Sequence, residues 1–179
     1  GPARSAGTGG QFSPIRAEVT ILDCNIEGKI PADLNGGFYA TGPDPQYPLR
    51  QGNIIFDGEG HARGFRIRNG RVDYRTRWVK SERFTANDKA RKQLFPMYRN
   101  PYMDDPRAKG LSRSTANTHV IHHKGLILAL KEDSPPVALD LNTLETVDPV
   151  FTFGGQLPRD RAFTAHPKVC SKTGNIVAF

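Results

Sequence analysis

The chain has 179 residues, 37% of them hydrophobic, enough for one ordinary globular core. Eighteen glycines and fourteen prolines separate short apolar runs, which argues against long helices and for short strands joined by turns, an all-β signal with one helix. No run approaches the roughly 20 apolar residues of a membrane-spanning helix, and the net charge of +7 is scattered rather than gathered with aromatics as in single-strand binders.

The cluster Lys89-Ala-Arg91-Lys92 is therefore read as a solvated helix face. Neither a nucleic-acid partner nor stable membrane insertion is expected. The first residues lack the apolar core of a signal peptide, and nothing marks the chain for export, so the expected location is cytoplasmic. Cys24 and Cys170 are far apart and neither has a Cys-x-x-Cys neighbour, which argues for two buried or half-buried thiols rather than a disulfide framework or zinc knuckle.

In chain order, residues 1–16 read as a flexible arm rich in Gly, Ser and Thr, leaving 17–179 as the folded part. Phe65 to Tyr74 alternates apolar and polar residues around Asn69-Gly70, a pair that favours the positive backbone dihedrals of a two-residue hairpin turn. One helix is expected from about Thr85 to Leu94, with Thr85 or Asn87 as N-cap and basic residues toward its C-terminus. A second hairpin spans Thr118 to Leu130 around Lys124-Gly125, and a third spans Pro167 to Phe179. Between them, Val137 to Thr146 reads as a strand running into a turn, the unit that propeller blades repeat. The chain stops at Phe179 on the return arm of its last hairpin, so the sequence reads as part of a longer one.

Among the histidines, His166 stands at the mouth of an expected strand beside Pro167, where a neutral imidazole is able to bind a metal, although the residues alone favour a structural or surface histidine. His122 and His123 are neighbours on a strand and point to opposite faces, so they cannot share an ion. His61, in a Gly-rich stretch, is expected in a solvent-exposed turn.

Five motifs occur in order. They are Gly36-Gly-Phe-Tyr-Ala-Thr-Gly42-Pro43-Asp-Pro45, Phe56-Asp-Gly58-Glu-Gly60, Ala116-Asn-Thr118, Ala129-Leu-Lys131-Glu132, and Thr164-Ala165-His166-Pro167-Lys168-Val169. Together they resemble the carotenoid cleavage oxygenases. The resemblance implies the N-terminal part of a seven-bladed β-propeller with a short helical insertion around 85–94. It also implies an iron(II) cofactor held by four histidines, with dioxygen as co-substrate. His166 matches the first of those histidines, Glu132 a carboxylate that supports the ligands, and Thr118 a threonine close to the iron. Only one iron ligand is then present, and these 179 residues alone are expected to be inactive.

Within the family the segments Leu94-Phe-Pro-Met-Tyr98-Arg99-Asn100-Pro101, Arg113 to Thr118 and Leu130 to Pro135 resemble the enzymes that cleave lignostilbene and resveratrol. That likeness implies a small phenolic alkene as substrate, with Tyr98 and Lys131 binding its 4-hydroxyl and Phe56 packing against it. A phenol titrates near about 10, and an amine in a partly dry pocket is able to take or share its proton. The resulting phenolate feeds electron density into the conjugated double bond, so two aldehydes are the expected products. A carotenoid or apocarotenoid cleaver is the alternative enzyme, and a non-catalytic propeller module the alternative of another class. Cys170 departs from the family, which usually has Asp there; the expected effect is on the turn rather than on catalysis.

Overall fold

The computed structural model describes residues 13–179. Most of its regular structure is antiparallel sheet. In chain order the elements are β1 (Val19–Ile21), β2 (Gly36–Asp44), β3 (Glu59–Arg68), β4 (Arg71–Trp78), α1 (Glu82–Ala90), β5 (His119–His123), β6 (Leu126–Leu130), β7 (Val137–Asp140), β8 (Thr146–Asp148), β9 (Lys168–Val169) and β10 (Ile176–Val177). One four-stranded sheet has the order β1-β4-β3-β2 and a second the order β5-β6-β7-β8, while β9 and β10 pair alone. No described helix is long and apolar enough to cross a membrane.

The two principal hairpins form where the turn chemistry dictates. Arg68 pairs with Arg71 across Asn69 (φ 53°) and Gly70 (φ 72°), and His123 pairs with Leu126 across Lys124 (φ 47°) and Gly125 (φ 80°). Two successive positive φ values make a turn whose twist matches that of the flanking strands. The third hairpin forms as well, with Val169 opposite Ile176.

Burial explains why β6 is uninterrupted in its hydrophobicity. Ile127 and Ala129 face one core with Ala62, Val137, Leu139 and Leu144, between the two large sheets. Leu128 and Leu130 face a second core with Ala138, Phe163 and Ala165. A strand covered on both faces shows no alternation. On the first sheet, by contrast, Ile21, Tyr74, Phe65 and Phe38 stand in register across all four strands, and Ile21, Phe65 and Phe38 are exposed.

Three expectations are corrected. The helix starts three residues early, at Glu82, because Ser81 caps it: the Ser81 Oγ accepts from the Phe84 N–H at 3.1 Å. Asn87 is no cap but a buried bracket, accepting from the Leu94 N–H at 2.8 Å and donating to Glu59. The helix ends on Arg91 in the left-handed conformation, and Lys89, Arg91 and Lys92 are exposed, as read.

His61 lies in β3 and is buried, not in an exposed turn. Its Nε2 sits 2.9 Å from the Ala17 carbonyl, its ring meets Trp78 edge-on at 5.0 Å, and burial holds it below the usual histidine range. Of the arm read over 1–16, residues 1–12 lie outside the described residues. Its end is tied down: the Ile15 and Arg16 N–H groups both donate to Asp44 Oδ2, at 2.9 and 3.0 Å. Both cysteines are half-buried free thiols.

Candidate active site

The site is assembled where the β5–β6 ladder ends. Leu130 closes β6 opposite His119, and its carbonyl accepts from the Thr118 N–H at 3.1 Å, so Thr118, His119 and Lys131 leave the ladder side by side. Lys131 continues the buried run of β6 and is 4% exposed. Its Nζ donates to the Tyr98 hydroxyl at 3.3 Å and to Glu132 Oε2 at 3.1 Å, and it stands 4.9 Å from the Tyr98 ring centroid. A buried ammonium requires a compensating anion, and Glu132 supplies it. Burial pushes the Glu132 carboxyl up, but its own backbone N–H, the Lys131 ammonium and His166 outweigh that and hold it below the ordinary value.

Tyr98 comes from a distant segment, and its placement depends on α1. Leu94 and Phe95 are buried with Ala108, and the Phe95 ring lies between two guanidiniums, Arg83 at 5.3 Å and Arg113 at 5.6 Å. Arg83, on α1, is locked to fully buried Glu59 by a 2.7 Å ion pair and donates to the Asp57 carbonyl. Arg113 pairs with Asp104 at 2.7 Å and donates to the Met97 carbonyl at 3.0 Å, one peptide before Tyr98. Arg99, at φ 52°, turns its guanidinium back over the Tyr98 ring at 5.4 Å. Phe56, in the 3-10 turn Ile55–Asp57, is 53% exposed with its ring 6.2 Å from that of Tyr98.

His166 closes the group. Phe163 and Ala165 are buried, and an isolated bridge ties Phe163 to Ser134, which brings the His166 loop beside Glu132. The His166 Nε2 lies 3.9 Å from Glu132 Oε1, an ionic contact rather than a hydrogen bond, and its side chain is 64% exposed. The His119 ring is 5.9 Å away, tilted by 31°. Burial, together with the charges of His166 and Lys168, keeps His119 below the usual histidine range.

All six residues singled out from the sequence, Phe56, Tyr98, Thr118, Lys131, Glu132 and His166, thus lie in one region. No three His, Cys, Asp or Glu side chains among the described residues gather to hold a metal ion. The exposed imidazole of His166, with Glu132 beside it, is one fitting donor for iron and not a complete set. His122 is exposed while His123 packs edge-on against Phe151 and Phe153, so the two face apart as expected. A groove of about 1170 Å³ lies at the other end of the same hairpin, between His123, Phe151, Phe163 and Ile176, and contains none of the six. Sequence reasoning missed Arg83, Arg99, Arg113 and Asn117. Arg99, Arg113 and Asn117 sit inside the quoted motifs, but only the fold shows what they hold.

Two antiparallel sheets thus carry the Lys–Tyr–carboxylate–imidazole group at one ladder end, and comparison with known proteins gives the family. The chain belongs to the carotenoid-oxygenase family: the profile of the family described as Retinal pigment epithelial membrane protein matches residues 12–179. It is 45% identical over 170 residues to isoeugenol monooxygenase of Pseudomonas nitroreducens, covering 95% of this chain and 35% of that protein. It is 44% identical over 167 residues to resveratrol cleavage oxygenase 1 of Chaetomium globosum, covering 93% and 28%. Its fold superposes on the crystal structure of Pseudomonas brassicacearum lignostilbene dioxygenase with a TM-score of 0.84 at 45% identity, covering 93% of this chain and 34% of that one. The chain therefore spans about a third of the length of these relatives.

Proposed function

We propose that this chain carries the substrate-activating part of a non-haem iron(II) dioxygenase. Its substrate is a 4-hydroxystilbene of the resveratrol or lignostilbene kind, or a related phenylpropene. One O2 is consumed per double bond, the C=C bond is broken, and each carbon leaves as an aldehyde. His166 provides one iron ligand, and the remaining ligands come from outside these 179 residues. The two large sheets are read as the first blades of a seven-bladed propeller. The apolar row Ile21, Tyr74, Phe65 and Phe38 supports that reading, because it is the kind of face a neighbouring blade covers.

The pair of buried Lys131 and half-buried Tyr98 carries the proposal. A phenol whose 4-hydroxyl reaches Nζ and the Tyr98 hydroxyl meets a fixed donor and a cation whose charge Glu132 already balances. Negative charge on the phenol oxygen is then stabilised without reorganisation of the site, and it is conjugated to the double bond. Phe56 offers the ring a face beside Tyr98. Iron, when bound, supplies the position at which dioxygen is activated. A carotenoid has no hydroxyl in conjugation with the bond to be cut, so the pair would have no work there. Relatives named for isoeugenol, resveratrol and lignostilbene agree with the phenolic reading. A cytoplasmic setting is part of the same proposal.

The test uses the full-length, iron-loaded protein with resveratrol, its 4-methoxy analogue and a carotenoid. Release of 4-hydroxybenzaldehyde from resveratrol alone is expected. Equal turnover of the methoxy analogue, or cleavage of the carotenoid only, would overturn the proposal.

A further inference from the structure

We infer that Asn117 is a positioning residue that sets two walls of the site at once, the Phe56 ring and the Thr118 side chain. The inference rests on the phenolic-alkene reading for its kinetic consequence and on geometry alone for the rest.

Asn117 is 3% exposed, and its side chain bonds to two site residues, Phe56 and Thr118, and to Gly58. Its Nδ2 donates to the Phe56 carbonyl at 3.0 Å and to the Gly58 carbonyl at 2.8 Å. Its Oδ1 accepts from the Thr118 hydroxyl at 3.1 Å. Carbonyl oxygens only accept, so the two on one side determine which end of the amide is nitrogen. Oδ1 then has to face Thr118, and the Thr118 hydroxyl spends its single proton on it.

Two consequences follow. Thr118 is held at both ends, its N–H by the Leu130 carbonyl and its Oγ1 by Asn117, so one rotamer is selected. Toward the site its hydroxyl can accept a hydrogen bond but cannot donate one. Phe56, whose side chain is largely exposed, has its carbonyl fastened by the same amide, which fixes the aim of the ring toward Tyr98. Neither Asp nor Ser supplies this geometry. Asp would set two acceptors against two carbonyls, and Ser is too short to reach both.

Asn117→Asp separates the two walls, because it keeps an acceptor for Thr118 and loses the donors that hold Phe56. In the full chain, 4-fluorophenylalanine placed at Phe56 should show a shifted and broadened 19F resonance in this variant. The same label at Phe163 in the second core should be unchanged. Asn117→Ser, a milder change that retains one donor, should give the same pattern at smaller amplitude if the aspartate variant does not fold.

With a 4-hydroxystilbene, Asn117→Asp should raise KM on the order of tenfold and leave kcat within about threefold. Added to Phe56→Ala it should raise KM less than about twofold further. An unchanged Phe56 resonance would overturn the inference. So would equal disturbance at Phe163, multiplicative effects in the double variant, or failure of both Asn117 variants to fold, since each assigns Asn117 to the core alone. If the unaltered protein cleaves no phenolic alkene, the proposed activity fails while the fluorine resonances still decide the role of Asn117.

Discussion

Replacing Lys131 by Met tests the substrate-activating pair with little disturbance of the fold. Met nearly matches the length of the Lys stem and suits the buried end of β6, where Lys131 is 4% exposed. The partners left behind are not stranded. Glu132 keeps 37% of its side chain in solvent, and Tyr98 is only half-buried, so both can turn to water. Stability should therefore change by no more than about 1 kcal/mol in either direction. Activity should fall far more. The substitution removes the ammonium that donates to the Tyr98 hydroxyl at 3.3 Å, beside the proposed phenol position, together with any proton transfer it performs. Positioned acid–base groups contribute roughly 10²–10⁴-fold, about 3 to 5 kcal/mol of barrier. The assay is aldehyde release by full-length protein at matched iron content and matched Tm. Turnover within threefold of the unaltered protein would refute the assignment.

Arg83→Met should cost about 3–5 kcal/mol, because it strands the fully buried Glu59 carboxylate. Chemical denaturation should show the loss, and a change under about 1 kcal/mol would mean that the pair does not anchor α1. Gly60→Ala would place a Cβ against the Ala116 carbonyl and 2.7 Å from that of Thr115. A loss of about 1–3 kcal/mol and a shift of the Asn117–Thr118 segment, visible as new amide chemical shifts there, are expected. Burial depresses His61, so the unfolded chain takes up its proton at a higher pH than the folded one does. Its contribution is therefore complete above the ordinary histidine value of about 6.5 and is lost as pH falls below it. Melting between pH 8 and 5 should show Tm declining through this range, with a shallower slope in His61→Gln; an identical slope would count against His61.

What could be read along the chain was whatever depends on neighbours in sequence. Asn69-Gly70 and Lys124-Gly125 set their turns by local backbone preference, and both hairpins formed there. Where a local signal competed with a longer-range partner, reading failed. Asn87 and Thr85 looked like caps, but Glu59 and Leu94 drew Asn87 inward and left the cap to Ser81. His61 sat among glycines that look like a turn and are instead the residues that let β3 pass close to the Ala116 backbone.

The site divides in the same way. Tyr98, Lys131, Glu132, Thr118, Phe56 and His166 were marked by motifs, since each motif is contiguous and its spacing survives in one dimension. The roles of Arg83, Arg113 and Asn117 were not legible, because each acts on a carbonyl or a ring outside its own stretch of sequence: Arg113 on Met97, Arg83 on Phe95, Asn117 on Phe56. The sequence by itself determined the turns and the apolar arm that becomes β6, which follow from local dihedral preference, and its motifs marked the candidate site residues through their likeness to a family. Only the tertiary structure decided how those side chains are aimed. Aim depends on which distant donor reaches which backbone carbonyl, and that pairing exists only once the two sheets and α1 have packed.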